Sequence, residues 1–167
     1  VGPVVAAAVQ LGGVKIQGLK DSTKLSESRR CDIAQEIKNK AISISIGVVS
    51  SKIIDKINIK RASILAMQKA TSDLSCSPKK IIVDGIDTFE SEYPLISLIK
   101  ADNLVPEVMA ASIIAKVYRD ELLKKLDKKF PEFGFSAHKG YPTKKHIEAI
   151  NTYGIIKEHR KSFSPIK

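Results

Sequence analysis

The segment from Leu98 to Asp120 constrains the fold of this chain more than any other part of the sequence. It contains the end of an apolar strand, then a turn that carries Asp102, and it predicts a long helix that begins near Pro106. Proline is tolerated in the first turn of a helix because the N–H group that it lacks has no intrahelical partner there. Apolar residues then recur at helical spacing, and these positions are Ala110, Ile113, Ile114, Val117, Tyr118, Leu122 and Leu126. The segment therefore predicts a helix with one face against a core.

Asp120 falls on the inward side of this predicted helix, because it comes three positions after Val117 and seven after Ile113. An ionised carboxylate is costly to bury unless it is paired with a cation, bound to a metal or protonated. Asp102 lies 18 positions earlier, at the end of the preceding predicted strand, and could face Asp120. Two carboxylates that meet at the end of an α/β sheet indicate divalent-cation binding and phosphate chemistry.

Spacing alone leaves simpler roles open for the same residues. Asp102 or Asn103 could cap the helix. Asp120 could pair with Lys124, one turn further along the helix.

Composition favours a globular, nucleic-acid-binding protein. A chain of 167 residues fits one domain, and 28 Lys and Arg residues against 18 Asp and Glu residues give a net charge of +10. This excess is spread along the chain and favours a polyanionic partner, although a lysine-rich solvated surface is the plainer alternative. Cys31 and Cys76 form neither a disulfide framework nor a metal motif, and no apolar stretch could span a membrane. We therefore expect a cytoplasmic protein.

The remaining pattern predicts one α/β domain whose strands come early and whose helices come late. The first predicted strand is expected to be buried on both faces, and the second on one face. The second helix of the pair that follows is expected to be buried along Ile64, Met67 and Leu74. The predicted strands are 2–11, 42–49, 81–83 and 95–99, and the predicted helices outside the opening segment are 26–40, 51–57, 61–74 and 144–153.

Several short segments, taken together and in order from Gly2 to Lys167, resemble bacterial ribonuclease HII. They are Asp21–Ser26, Val83–Gly85, Lys100–Asp102, Ala110–Asp120, His138–Thr143 and Arg160–Phe163. The resemblance implies an α/β RNase H-like fold with a central mixed β-sheet flanked by helices and a helical C-terminal part. It also implies an endoribonuclease that cuts the RNA strand of RNA/DNA hybrids and incises at single ribonucleotides in duplex DNA. Separately, we expect the protein to be a monomer.

The resemblance also implies roles for particular residues. Asp102 and Asp120 match two of the family's four catalytic acids, which hold Mg²⁺ or Mn²⁺ for phosphodiester hydrolysis that leaves 5′-phosphate and 3′-hydroxyl ends. Tyr141 matches a tyrosine that packs on the sugar beside the scissile bond, although a loop tyrosine could instead close the core. Lys24 and Lys139 are candidate phosphate contacts, although each could simply be solvated.

The two other acids of the family belong to an Asp-Glu-x-Gly-Arg-Gly motif that ends just before Gly2-Pro3 in its members. Only Val1 precedes Gly2 here, so this motif is outside the sequence. We expect residues upstream, from a truncated chain rather than an inactive paralogue, and we expect this exact chain to bind Mg²⁺ weakly and to cleave little. A non-catalytic binder of hybrid duplex and a different carboxylate nuclease remain alternatives.

Overall fold

The computed structural model describes the whole chain, from Val1 to Lys167. Its strands are β1 (Val4–Gln10), β2 (Ser43–Val49), β3 (Ile81–Asp84) and β4 (Leu95–Leu98). Its helices are α1 (Glu27–Lys40), α2 (Ser51–Ser72), α3 (Ala101–Leu104), α4 (Pro106–Lys129), α5 (Phe135–His138) and α6 (Lys144–Tyr153), with 3₁₀ turns at Ser22–Lys24 and Pro131–Phe133. The predicted mixed α/β class is confirmed. None of these helices has the length and apolar character that a membrane span requires.

The strands form two separate pairs. β1 and β2 are antiparallel, with Val4 opposite Val49 and Gln10 opposite Ser43. β3 and β4 are parallel, and neither strand is hydrogen-bonded to the first pair. The mixed sheet expected from the sequence is therefore present as an antiparallel half and a parallel half, each with an unpaired edge.

A cleft of about 780 Å³ lies between the two halves and is lined by both β1 and β3. The other walls are one face of α4, the end of α2 with Met67, and Leu74 just beyond that helix. The expectation that β1 is buried on both faces is wrong, because all seven of its residues are partly exposed. Met67 and Leu74 are likewise only partly buried, since they border the cleft instead of filling a core.

β2 alternates as predicted, but its four most buried positions are Ser43, Ser45, Gly47 and Val49. On this side α2 lies very close to the strand, because a Cβ atom at Gly47 would lie 1.9 Å from the main-chain oxygen of Ala66. The buried stripe of α2 is accordingly made of small residues, namely Ala62, Ala66 and Ala70. Two predicted helices merge into α2, with the expected break present as a non-helical residue at Asn58 (φ 67°).

The main core lies between β1, α1 and α4. Its fully buried members come from α1 (Ile33, Ile37) and α4 (Ile113, Ile114) together with Leu11. The predicted N-terminal cap of α1 is confirmed, because the side chain of the residue before Glu27, Ser26, accepts a hydrogen bond from the main chain of Arg29. This core fixes which side of α4 faces inward and so positions Asp120.

Candidate nucleic-acid and metal site

Asp102 lies in the short helix α3, next to the end of β3. Asp84, the last residue of β3, accepts a hydrogen bond from the main-chain N–H of Ala101 (2.8 Å), which anchors the start of α3. The side chain of Asp102 is partly exposed and lines the cleft, and its Oδ1 accepts a hydrogen bond from Asn103 Nδ2 (2.9 Å). Neither residue caps α4, whose N-cap is Val105 without a side-chain bond. Asp102 is therefore free to bind a ligand at the mouth of the cleft.

Lys24 comes from a distant part of the chain and contacts Asn103, the neighbour of Asp102. Its Nζ donates a hydrogen bond to Asn103 Oδ1 (2.8 Å) and lies 3.8 Å from Asp21 Oδ2. The Lys24 side chain is 62% exposed, so its charge remains available to solvent or to a ligand. The amide of Asn103 therefore bonds to both Asp102 and Lys24, two residues that the sequence predicted for the site.

Asp120 is buried, as the helical spacing predicted, and its side chain is only 6% exposed. Lys116 Nζ donates to its Oδ1 (3.2 Å), and Arg30 Nη2 lies 4.0 Å from its Oδ2. The alternative that Asp120 pairs with Lys124 is wrong, because the Lys124 ammonium group lies 2.7 Å from Glu27 Oε1 instead. Two cations therefore neutralise the buried Asp120 carboxylate.

Arg30 is the contact that the sequence reasoning missed. Its Nη1 donates to the carbonyl oxygens of Ser22 (2.6 Å) and Leu25 (3.0 Å), while its Nη2 faces Asp120. A signal was present, because Arg30 shares a helical face with Ile33 and Ile37 and so had to lie inward. Arg30 thereby attaches the turn that carries Lys24 to α4.

The acids of residues 1–167 do not form a complete metal cage. Asp102 and Asp120 share no hydrogen-bond partner, and no group of three or more His, Cys, Asp or Glu side chains is arranged to hold a metal ion. Asp84 and Glu107 line the same cleft as Asp102. One oxygen of Asp84 already accepts the hydrogen bond from Ala101. The carboxylates therefore fit only part of a divalent-cation site.

Tyr141 lies in the loop between α5 and α6, and the residue is 63% exposed. The alternative that it closes the core is therefore wrong. Its main chain, in contrast, is held firmly. The carbonyl oxygen of Tyr141 accepts hydrogen bonds from His146 Nδ1 (2.9 Å) and from the N–H of Thr143 (2.8 Å), and its own N–H donates to His138 O (2.9 Å). An exposed ring on a fixed main chain can bind a sugar or a base.

Lys139, two residues before Tyr141, takes part in an ion pair. Its Nζ lies 3.4 Å from Glu27 Oε2, and the same carboxylate binds Lys124. The hydrogen bond from Lys124 and the positive charge of Lys139 hold the pKa of Glu27 below its usual value. The role of Lys139 as a phosphate contact stays a prediction, and it would require the Glu27 pair to open.

The C-terminal motif binds the first residues of the chain. Arg160 Nε donates to Gly2 O (2.9 Å) and its Nη2 donates to Pro3 O (3.2 Å), while Gly2 N–H donates to Glu158 O (2.9 Å). Arg119 Nη2 donates to the carbonyl oxygen of Val1 (3.3 Å). Segments that are far apart in sequence therefore meet around Val1–Pro3.

The sequence profile of the family Ribonuclease HII matches residues 1–165. The chain belongs to the ribonuclease HII family. Ribonuclease HII of Bacillus cereus (strain B4264) is 49% identical over 167 residues, which cover 99% of this chain and 65% of that relative. Ribonuclease HII of Vibrio parahaemolyticus is 48% identical over 168 residues, which cover all of this chain and 80% of that relative. The chain thus spans about two thirds of the first relative and four fifths of the second.

Solved structures support the same fold. The chain is similar to ribonuclease H2 from Pyrococcus horikoshii OT3, with a TM-score of 0.77 and 27% identity over 99% of this chain and 90% of that one. It is also similar to the RNase HII of Archaeoglobus fulgidus in a structure of its complex with PCNA, with a TM-score of 0.69 and 26% identity over 96% and 85% of the two chains. The RNase H-like fold expected from the motifs is therefore confirmed.

Proposed function

We propose that this ribonuclease HII chain acts as an endoribonuclease on the RNA strand of RNA/DNA hybrids and at single ribonucleotides in duplex DNA. The observation that carries the proposal is the family match over residues 1–165. It is supported by the position of Lys24 beside Asp102 and by the exposed ring of Tyr141. The products would carry 5′-phosphate and 3′-hydroxyl ends.

The charge of the protein supports a nucleic-acid substrate. The net charge of +10 favours any polyanion, and the phosphate backbone supplies most of the affinity of such complexes. Lys24, Lys116 and Arg119 lie around the mouth or along the wall of the cleft that Asp102 lines. A phosphodiester near Asp102 would therefore meet cationic side chains. We propose that the protein acts on it as a monomer.

The proposed reaction depends on Mg²⁺ or Mn²⁺, which lower the pKa of a water and stabilise charge on the phosphate and the leaving oxygen. Asp102 is the residue of this chain best placed to hold such an ion. The remaining acids would come from a segment with the Asp-Glu-x-Gly-Arg-Gly motif, outside residues 1–167. The cleft supports this proposal, because the unpaired edges of β1 and β3 are suited to hydrogen-bond one further strand between them. Without that segment we expect weak metal binding and little cleavage.

A cleavage assay tests the proposal with the 167-residue chain and with a chain extended upstream by the motif. The substrates are a labelled RNA/DNA hybrid, a DNA duplex with one ribonucleotide, and an all-DNA duplex. We expect the extended chain to cut the first two, and Asp102→Asn to reduce the rate by at least about a hundredfold. Asp32→Asn, an exposed change of the same type on α1, serves as the control. Full activity of the Asp102→Asn variant, or equal cleavage of all-DNA duplex, would reject the proposal.

A second candidate function is metal-independent binding of hybrid duplex. The pairing of Asp120 with Arg30 and Lys116 favours it, because that carboxylate is already neutralised. An affinity that falls steeply with salt but does not respond to Mg²⁺, together with no cleavage by the extended chain, would support the binder over the enzyme.

A further inference from the structure

All three histidines of the sequence lie together beneath the Tyr141 loop. The rings of His138 and His146 are stacked, with centroids 4.6 Å apart and an interplanar angle of 14°. The ring of His159 lies 5.3 Å from that of His146. His146 and His159 are 3% and 1% exposed and pack against Phe135. Neither ring can reach a substrate, so a role in function must be exerted through their neighbours.

Hydrogen bonds to the main chain determine where the protons of these rings lie. The N–H of Ile156 donates to His159 Nδ1 (3.0 Å), so that nitrogen carries no proton and the proton of neutral His159 lies on Nε2. His146 Nδ1 lies 2.9 Å from the carbonyl oxygen of Tyr141, which can only accept, so His146 carries its proton on Nδ1. The two Nε2 atoms are 3.2 Å apart, and His159 therefore donates to His146.

The result is a one-directional chain of hydrogen bonds that ends at the main chain of Tyr141. It begins at the N–H of Ile156, passes through His159 and His146, and reaches the carbonyl oxygen of Tyr141. His138 holds the other side of the same loop, because its Nδ1 accepts from the N–H of Gly140 (3.2 Å) and its carbonyl oxygen accepts from the N–H of Tyr141. We refer to Ile156, His159, His146 and Tyr141 as the histidine chain.

We propose that His146 and His159 are positioning residues for nucleic-acid binding, which hold the main chain of Tyr141 so that its exposed ring meets the substrate. This inference rests on the proposed function, since it takes Tyr141 as a substrate contact. The chain works only while both rings are neutral. A proton added to His146 would place two N–H groups against each other at the Nε2 atoms, and a proton added to His159 would oppose the N–H of Ile156.

The surroundings favour the neutral rings. Burial lowers the pKa of His159 to about 4 and also lowers the pKa of His146. The groups that face the two rings are His138 and the amino group of Val1, with Arg119 and Arg160 beside that amino group. None of these groups is acidic, so no opposite charge stabilises an imidazolium ion. The hydrogen bond to the carbonyl oxygen of Tyr141 favours a charged His146, but burial outweighs it and the pKa is lowered.

The first test is a measurement of tautomers by ¹⁵N–¹H NMR of the 167-residue chain at pH 7. We expect the Nδ1–H form for His146 and the Nε2–H form for His159. The opposite tautomer at either residue would overturn the inference, whatever the protein binds. This readout does not depend on nucleic acid, so it separates a failure of the histidine chain from a failure of the proposed function.

The second test is a mutant cycle that measures the dissociation constant for a hybrid duplex in metal-free buffer. His159→Leu should weaken binding about fivefold, the equivalent of one lost hydrogen bond. His159→Gln should restore most of the affinity, because an amide can both accept from Ile156 and donate to His146. In a Tyr141→Ala background His159→Leu should have no further effect. Asn151→Ala, on the exposed face of α6, is the matched control.

Three outcomes of this cycle would overturn the inference. The first is an equal loss from His159→Leu with and without Tyr141, which would indicate general destabilisation. The second is a His159→Gln variant that behaves like His159→Leu. The third is a Tyr141→Ala variant that binds normally. The protein would then bind hybrid duplex without using Tyr141, and the histidine chain would have no substrate contact to position. Absence of any hybrid binding by the parent chain would instead reject the proposed function, and the inference with it.

Discussion

Arg30 and Asp120 form a buried contact between α1 and α4, with Arg30 Nη2 4.0 Å from Asp120 Oδ2. The same guanidinium group donates through Nη1 to the main chain of Ser22, and Ser22 Oγ is 2.7 Å from Ser112 Oγ on α4. This contact therefore joins the turn that carries Lys24 to the helix that carries Asp120. The Arg30 side chain therefore both stabilises the fold and positions the candidate site.

Removal of Arg30 should be costly because it leaves a buried carboxylate with Lys116 as its only cation. We expect Arg30→Met to lower the free energy of unfolding by about 3 kcal/mol, as measured by urea denaturation. A double variant that adds Asp120→Asn should recover part of this loss, since the buried charge is then absent. Lys40→Met, which breaks an exposed pair with Glu36 on the same helix, is the control and should have little effect. Similar losses for Arg30→Met and Lys40→Met would contradict this account.

Gly47 should be intolerant of any side chain. Its Cβ would lie 1.9 Å from the main-chain oxygen of Ala66, so β2 and α2 would have to move apart. We expect Gly47→Ala to lower the melting temperature and to cost about 3 kcal/mol, the upper part of the range for overpacked cores. Ser45→Ala, two residues earlier on the same face, should be neutral or slightly stabilising because the buried Ser45 hydroxyl has no partner. A Gly47→Ala protein as stable as the parent would show that the two elements separate easily.

Local features of this fold were predictable from the sequence. The spacing of Asp120 from Val117 and Ile113 placed its side chain inward, and burial confirms it. The bounds of α1 and α6 and the start of α4 were predicted to within a residue, because caps and proline act through neighbouring groups in the chain. The sequence also predicted the break in α2 that the structure has at Asn58.

Long-range features were not predictable, because they depend on which elements meet. Periodicity showed that Asp120 is inward but not that its partner is Arg30, from another helix, instead of Lys124. The apolar run of β1 predicted burial on both faces, but the partial exposure of β1 results from a gap between two strand pairs. The position of Lys24 next to Asn103 likewise arises from packing between distant segments.

Stability should fall as the pH is lowered through the range where the histidines titrate. The pKa of His159 is lowered from 6.5 to about 4, and the pKa of His146 is also lowered. The unfolded chain therefore binds protons before the folded protein does. The stabilisation is fully present above pH 6.5 and is lost as the pH falls towards about 4. Urea unfolding between pH 7.5 and pH 4.5 should show a shallower decline for His159→Leu than for the parent chain. An unchanged pH dependence would mean that His159 titrates normally.

Lys24 should contribute a phosphate contact to hybrid binding, because its exposed ammonium group donates to Asn103, whose amide in turn donates to Asp102. Each phosphate contact adds roughly 0.9 to the slope of log affinity against log salt on B-form duplex. We therefore expect Lys24→Gln to weaken binding in metal-free buffer at low salt and to reduce that slope by close to one contact. Lys56→Gln, an exposed lysine on α2, removes the same charge as a control. If the two variants change the slope equally, the effect is one of net charge and Lys24 makes no specific contact. A reduced slope for Lys24→Gln alone would place the nucleic-acid backbone beside Asp102.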